Sequence, residues 1–324
     1  MLFVDTRWSG QHGIARFAGE VISRLDLRWD DLGATGSPSA GLDAVNVARA
    51  RLPRRAVVWS PGYNAGITRA RQILTLHDTI HLDVPSESNL AKRTYYKWLV
   101  RPAIRRAGLV LTVSETSRRA LVSWVDDSSV EVVNVGNGVS ANFVPDGPEA
   151  GEEKPFFLYV GNARPHKNIG VILDALTARP QYRLIAVTSD AQAVSEEAQT
   201  HGVAGQVKIL SGVSDAELAS YYRSTDGLLM PSTLEGFGLP AVEALCTGTK
   251  VAFWRGCESV AEIVGATGVE VAASDSGAEW AEAMDRLRGT DRVTSAEVQA
   301  VRKRYSWEQV AYRVQASLEK CEAL

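Results

Sequence analysis

Short apolar runs recur along the chain, each ending in a polar or glycine-rich loop. They are Leu2 to Val4, Ala56 to Trp59, Gln72 to Leu76, Leu109 to Val113, Val130 to Val135, Phe156 to Val160, Tyr182 to Thr188, Gln206 to Leu210, Gly227 to Met230 and Val251 to Trp254. Runs that are apolar at consecutive positions suit strands covered on both faces, as in a parallel sheet between helix layers. Apolar positions at helical spacing lie between them, over Ile14 to about Leu25, 91–108, 278–289, 295–304 and the tail from Tyr305. Ser114 reads as the cap of a further helix. Residues 30–56, with Gly33, Gly36, Ser37, Pro38, Ser39 and Gly41, predict a loop or an abbreviated strand–helix unit. The succession of strand, loop and helix predicts an α/β fold with doubly wound sheets.

A chain of 324 residues is long for one core, so two domains are expected. The segment Pro145 to Pro155, rich in Gly, Pro and Glu, is the best linker and puts the boundary near residue 150. That gives domains 1–150 and 151–304, with a closing helix over 305–324. The net charge of −3 supplies no basic excess for a general nucleic-acid binder. Cys246, Cys257 and Cys321 are scattered without metal-ligand spacing, which fits a reducing cytoplasm. MLFVDTRW runs directly into a strand, so no signal peptide is expected, and no apolar run reaches the roughly 18 residues of a membrane span.

Candidate chemistry concentrates in Met230 to Ala252. After the strand, Pro231 and Ser232 break the extended pattern, Gly236-Phe237-Gly238 makes a tight loop, and Pro240 opens a helix that Thr247-Gly248 closes. Glu243 is then expected in the first helical turn. A strand, a glycine loop and a helix N-terminus make an anion site, where free N–H groups and the helix dipole face a phosphate. The carboxylates Glu235 and Glu243 would repel that phosphate and are better suited to accept from hydroxyls on either side of it, Glu243 from a ribose and Glu235 from a second sugar. The plainer reading is a capped helix with a dipole-favoured glutamate. Arg164 and Lys167 follow the end of the strand 156–160 and can neutralise the same diphosphate.

These residues carry a resemblance. E-G-F-G-L-P with a second Glu eight positions after the first, LYVGNARPHKNI at 158–169 and NVGNGV at 134–139 resemble, in order, the motifs of the family 4 glycosyltransferases. The resemblance spans most of the chain. It implies a GT-B fold, in which two Rossmann-like domains face each other across a cleft, and a retaining transfer of sugar from a nucleotide diphosphate to a hydroxyl of a glycan or lipid-linked acceptor. The implied acceptor domain is the N-terminal one and the donor domain the C-terminal one, with the closing helix crossing back to the first. The pairing of GNARPHKN with H-G-I-A-R-F is similar to bacterial mannosyltransferases that build surface polysaccharides, which makes GDP-mannose the implied donor.

The resemblance also implies roles for other residues. Gly13, in the loop after the first strand, would face the donor diphosphate. His77 and Asp78, at the carboxyl end of a strand, would form an active-site pair with Glu235, although such a histidine can simply bond a neighbouring carbonyl. Gly212 and Val213 would contact the donor base. His12 could reach the same space as Gly13. The i, i+4 spacing of His77 and His81 suggests a metal pair, but Pro85 and the preceding strand argue against a helix there. No Asp-x-Asp occurs in the chain, so no metal or other cofactor is expected.

Residues 91–108, AKRTYYKWLVRPAIRRAG, interleave Lys92, Arg93, Lys97, Arg101, Arg105 and Arg106 with Tyr95, Tyr96 and Trp98. They predict either a helix resting peripherally on an anionic membrane through 92–106 or an amphipathic surface helix bent or broken at Pro102. Two other function classes stay open: a nucleotide-sugar epimerase or hydrolase on the same fold, and a non-catalytic subunit that only binds nucleotide-sugars.

Overall fold

A computed structural model describes residues 1–10, 13–80 and 90–322. His12, His81 and Pro85 lie outside the described residues. The chain divides into two compact units, Met1–Gly138 with the segment from Tyr305 on, and Val139–Arg304.

The first unit runs β1 (Leu2–Val4), α1 (Gly13–Ile22), β2 (Trp29–Asp31), α2 (Asp43–Arg49), β3 (Val57–Ser60), β4 (Arg71–Leu74), α3 (Leu90–Tyr95), a π-helical stretch (Tyr96–Val100), α4 (Arg101–Ala107), β5 (Leu109–Thr112), α5 (Glu115–Val125) and β6 (Glu131–Asn134). Strands pair in parallel in the order β2-β1-β3-β4, and β5-β6 form a second parallel pair. A bridge between Thr75 and Leu111 joins the two. The glycine-rich stretch 30–56 is thus the abbreviated strand–helix unit, β2 and α2. Ser114 caps α5 by accepting from Ser117 N–H at 3.0 Å.

Pro102 does not break the helical stretch 90–107. Proline has no N–H for the carbonyl four residues back, and its ring crowds that carbonyl; the wider π turn directly ahead accommodates both. Tyr96, Val100 and Ile104 pack inward from this stretch onto Leu76 and Val110.

The second unit runs β7 (Phe156–Val160), α6 (Ile169–Thr177), β8 (Arg183–Val187), α7 (Ala191–Thr200), β9 (Val207–Leu210), α8 (Asp215–Ser224), β10 (Leu228–Met230), α9 (Leu239–Cys246), β11 (Val251–Trp254), α10 (Glu258–Val264), β12 (Val269–Val271), α11 (Gly277–Arg288) and α12 (Ser295–Arg304). Its strands pair in the order β12-β11-β10-β7-β8-β9, and each neighbouring pair is parallel. The chain starts at β7, winds outward through β8 and β9, and returns to the other side of β7 at β10. The strand order therefore reverses between β7 and β10, where open α/β sheets leave a crevice at the carboxyl ends of their strands. Trp280 and Met284 from α11 pack with Phe157, Leu184 and Leu229 in the core. The apolar pattern marks neither α10 nor β12.

The boundary falls at Gly138 rather than near residue 150. Phe143 is fully buried, with its ring 5.8 Å from that of Tyr222, and Arg223 donates to the carbonyls of Val144 and Pro148 at 3.1 and 2.8 Å. The composition of this segment looks like linker, but one aromatic ring and one arginine bind its start to the second unit. The last helix, α13 (Trp307–Glu322), belongs to the first unit. Trp307 lies 6.2 Å from Phe17 of α1, and Arg71 donates to the Cys321 carbonyl at 2.7 Å. A Cβ at Gly138 would stand 2.2 Å from the Trp307 ring, so this packing requires glycine.

Candidate active site

At the reversal point of the second sheet the loops after β7 and β10 are stitched together by hydrogen bonds onto backbone carbonyls. Thr233 N–H donates to the His166 carbonyl at 2.8 Å, and the Asn168 amide donates to the Pro231 and Ser274 carbonyls at 3.4 and 2.8 Å. Ala163 N–H donates to Asp190, and Ser259 Oγ donates to the Glu235 carbonyl, each fixing one loop from the other side. Asn168 takes a left-handed conformation (φ +51°) that turns the chain from a 3-10 turn, Pro165–Lys167, into α6. On this frame Lys167 Nζ lies 2.6 Å from Glu235 Oε1, with side chains 16 and 10 % exposed. The charge reaches its surroundings. Burial and then Glu235 push the Tyr159 hydroxyl above its usual range, and burial followed by Glu235 pushes the Cys257 thiol up to about 12.

The glycine loop is anchored rather than open throughout. Phe237 is buried, and Gly238 has φ +111° with its would-be Cβ 3.2 Å from Val260. Helix α9 starts at Leu239, one residue ahead of the proline, so Glu243 stands in the second turn and not the first. It is buried and accepts from Tyr222 OH at 3.1 Å; burial and then the Glu243 charge raise the pKa of that hydroxyl well above the ordinary tyrosine value. Arg164 is exposed, at the entry to the 3-10 turn. Gly212 and Val213 follow β9, two strands from β7, about 10 Å along the sheet at the usual strand spacing. There Gly212 turns at φ +68° into Ser214, which caps α8 in a capping box with Glu217.

In the first unit Gly13 is the exposed first residue of α1. His77 and Asp78 follow β4. His77 Nε2 lies 2.9 Å from the Pro61 carbonyl, an oxygen that only accepts, so Nε2 carries the proton. The imidazole also stands edge-on to Phe17 at 4.9 Å, and Asp78 accepts from Ile80 N–H. The histidine thus makes the carbonyl bond that the sequence left open as its plain role.

Beside this pair stands a buried polar network that sequence reasoning missed. Arg7 donates to Asp5 at 2.8 and 2.7 Å and to Asp43 at 2.5 and 3.2 Å. Asn64 donates to the same two carboxylates, at 2.8 and 3.0 Å, and accepts from Trp8 Nε1 at 2.8 Å and from Ser60 Oγ. Burial works against the Arg7 charge, but the bonds to Asp5 and Asp43 outweigh it and hold its pKa above the ordinary arginine value. Two acids, one arginine and the tetrapeptide Pro61-Gly62-Tyr63-Asn64 after an apolar run were the available signal.

Among the described residues no group of three or more His, Cys, Asp or Glu side chains could hold a metal ion, and no helix is long and apolar enough to cross a membrane. On the stretch 90–107 several cations are already engaged. Arg101 and Arg105 donate to the Val125 carbonyl and Arg106 to that of Thr68. Leu90 and Trp98 are exposed, and Lys97 lies over the Trp98 ring at 5.3 Å.

Residues 143–292 match the family model of the glycosyl transferases group 1. The chain is similar to the O-antigen chain mannosyltransferase RfbU of Salmonella typhimurium, 29 % identical over 56 % of this chain and 51 % of that protein. It is similar also to the O-antigen chain mannosyltransferase B of Escherichia coli, 26 % identical over 74 % of this chain and 67 % of that protein. The chain spans about half the length of RfbU. Among solved structures, Anabaena Alr3699/HepE in complex with UDP and glucose matches with a TM-score of 0.72 at 18 % identity, over 98 % of both chains. Sucrose-phosphate synthase from Thermosynechococcus elongatus matches with a TM-score of 0.73 at 16 % identity, over 99 % of this chain and 98 % of that one. The fold is GT-B.

Proposed function

We propose, from the match of residues 143–292 to the group 1 glycosyl transferases, that the chain moves a sugar from a nucleotide diphosphate to a hydroxyl of a glycan or lipid-linked acceptor. The observation that carries this reading is the Lys167–Glu235 pair, 2.6 Å apart at the point where the second sheet reverses its strand order. A donor diphosphate at that crevice meets the Lys167 ammonium, with Arg164 on the same loop adding a second cation. Preorganised positive charge of this kind stabilises a leaving phosphate by several kcal/mol in a partly dry site. It takes the place of a metal, and the leaving oxygen receives the acceptor's proton as the sugar departs with retention. Glu235 is left to contact the sugar hydroxyls and Glu243, beside Tyr222, the ribose. Gly13, the Gly236-Phe237-Gly238 loop and Gly212-Val213 complete the donor contacts in this reading, and His77 and Asp78 serve the acceptor side. GDP-mannose is the proposed donor, by similarity to the two O-antigen mannosyltransferases.

A thermal-shift screen against UDP-, GDP-, ADP- and dTDP-sugars tests the donor, with the largest stabilisation expected from GDP-mannose. Lys167→Ala and Glu243→Ala are each expected to remove the donor-induced shift and turnover while the unliganded protein still melts cooperatively. Unchanged kinetics in both variants sink the site assignment. Free mannose or an epimer released without acceptor points instead to a hydrolase or epimerase, and donor binding without turnover to a non-catalytic subunit.

The exposed Lys92, Arg93, Lys97, Leu90 and Trp98 support a peripheral contact with an anionic bilayer on its cytoplasmic side. Each cation near such a surface contributes about 1 kcal/mol. Flotation with anionic liposomes at low salt tests it, and loss of binding in Trp98→Ala with Lys97→Ala is the expected result.

A further inference from the structure

The loop after β3 does four things with four consecutive residues. The Pro61 carbonyl fixes the His77 ring. Gly62 lies under the Trp8 indole, where a Cβ would stand 2.4 Å from the ring. Tyr63 packs edge-on to Trp8, with centroids 5.3 Å apart at 67°. Asn64 holds the Trp8 N–H and is itself held by Asp5 and Asp43. All of this sits at the carboxyl ends of β1, β3 and β4, neighbours in the first sheet, with the order reversing between β1 and β3.

Tyr63 differs from the aromatics around it. Trp8 and Tyr96 are buried and Tyr63 is partly exposed, with the Tyr96 ring 6.3 Å behind it. Its hydroxyl is within electrostatic reach of Asp78: burial first, and then Asp78 and Asp43, raise its pKa. An immobilised aromatic ring beside a carboxylate and an imidazole is the chemistry that recognises a pyranose. The apolar C–H face of the sugar lies on the ring, and its hydroxyls donate to the acid.

We infer that Tyr63 is a stacking residue for a pyranose ring of the acceptor, with Asp78 accepting from that ring's hydroxyls. This rests on the glycosyltransferase reading and names the class of its acceptor, a hexopyranoside rather than a linear polyol or a bare lipid alcohol. The network of Arg7, Asp5, Asp43 and Asn64 acts through Trp8 as the positioning layer beneath it.

Saturation-transfer NMR with methyl α-D-mannopyranoside, methyl α-D-glucopyranoside and the linear polyol mannitol tests the inference. The wild type is expected to saturate the ring protons of at least one pyranoside and not mannitol. Tyr63→Phe should keep the effect, and Tyr63→Ala should weaken binding roughly five- to tenfold, as loss of one aromatic contact does. A melting temperature within a few degrees of wild type shows that Tyr63→Ala remains folded; if it does not, Tyr63→Leu replaces it, which keeps the volume and removes the ring. No saturation in the wild type, or equal saturation in Tyr63→Ala or Tyr63→Leu, overturns the inference. Turnover of GDP-mannose by the same samples separates the two readings. A wild type that binds pyranosides but consumes no donor defeats the transferase reading alone, and an active enzyme indifferent to Tyr63 defeats the stacking alone.

Discussion

Both units finish their parallel strands in a cluster of opposite charges, but the clusters are built in opposite ways. In the first, Arg7 is shared by two acids, and Asn64 closes the circuit, so each charge has several fixed partners. In the second, Lys167 and Glu235 meet through one bond, on loops held by Thr233 N–H, the Asn168 amide and Ser259 Oγ donating to backbone carbonyls. A closed circuit of buried charge fixes geometry and is costly to open. A single pair joined by one bond can exchange one partner for a ligand at small cost. Under the proposed function, the difference separates residues that hold a site from residues that use it.

The largest effect that would break this contrast is on stability. Asp43→Ala leaves Arg7 buried with one acid and is expected to lower unfolding free energy by about 3 kcal/mol, read in a urea titration. Lys167→Ala should behave in the opposite manner, with a small change in that titration and a loss of turnover of roughly 100- to 1000-fold. Tyr222→Phe, which leaves Glu243 without that donor, should cost about 1 kcal/mol of stability and weaken donor binding measurably by calorimetry. The smallest effect concerns the thiols. Burial pushes both Cys246 and Cys257 up to about 12, so neither forms thiolate at pH 8, and iodoacetamide should label them only after unfolding, as mass spectrometry will report. Rapid native labelling of Cys257 would mean that the loop carrying Glu235 opens readily.

The same contrast governs what could be read in the sequence. Glu235, Gly236, Gly238 and Glu243 lie within one short stretch, and Arg164 and Lys167 sit just past a strong apolar run, so local pattern was enough to place them after β10 and β7. Asp5, Asp43 and Asn64 come from three separate elements, and each looks like an ordinary loop or helix-end residue until the fold gathers them. Local chemistry also misled at two points. Pro240 reads as the first helical residue, but Leu239 precedes it and shifts Glu243 by one position, into the second turn. The glycines and prolines after Val144 suggested free linker, while Phe143 and Arg223 tie that segment down. Val269–Val271 went unmarked because the exposed Glu270 at its centre interrupts the apolar run.

The closing helix carries a consequence for synthesis. Residues 139–304 form an uninterrupted insertion, whereas the first unit needs Trp307 against Phe17 and Gly138 and the Cys321 carbonyl against Arg71. On the ribosome, the part made second can therefore finish folding first, and the part made first waits, incomplete, for helix α13 to emerge.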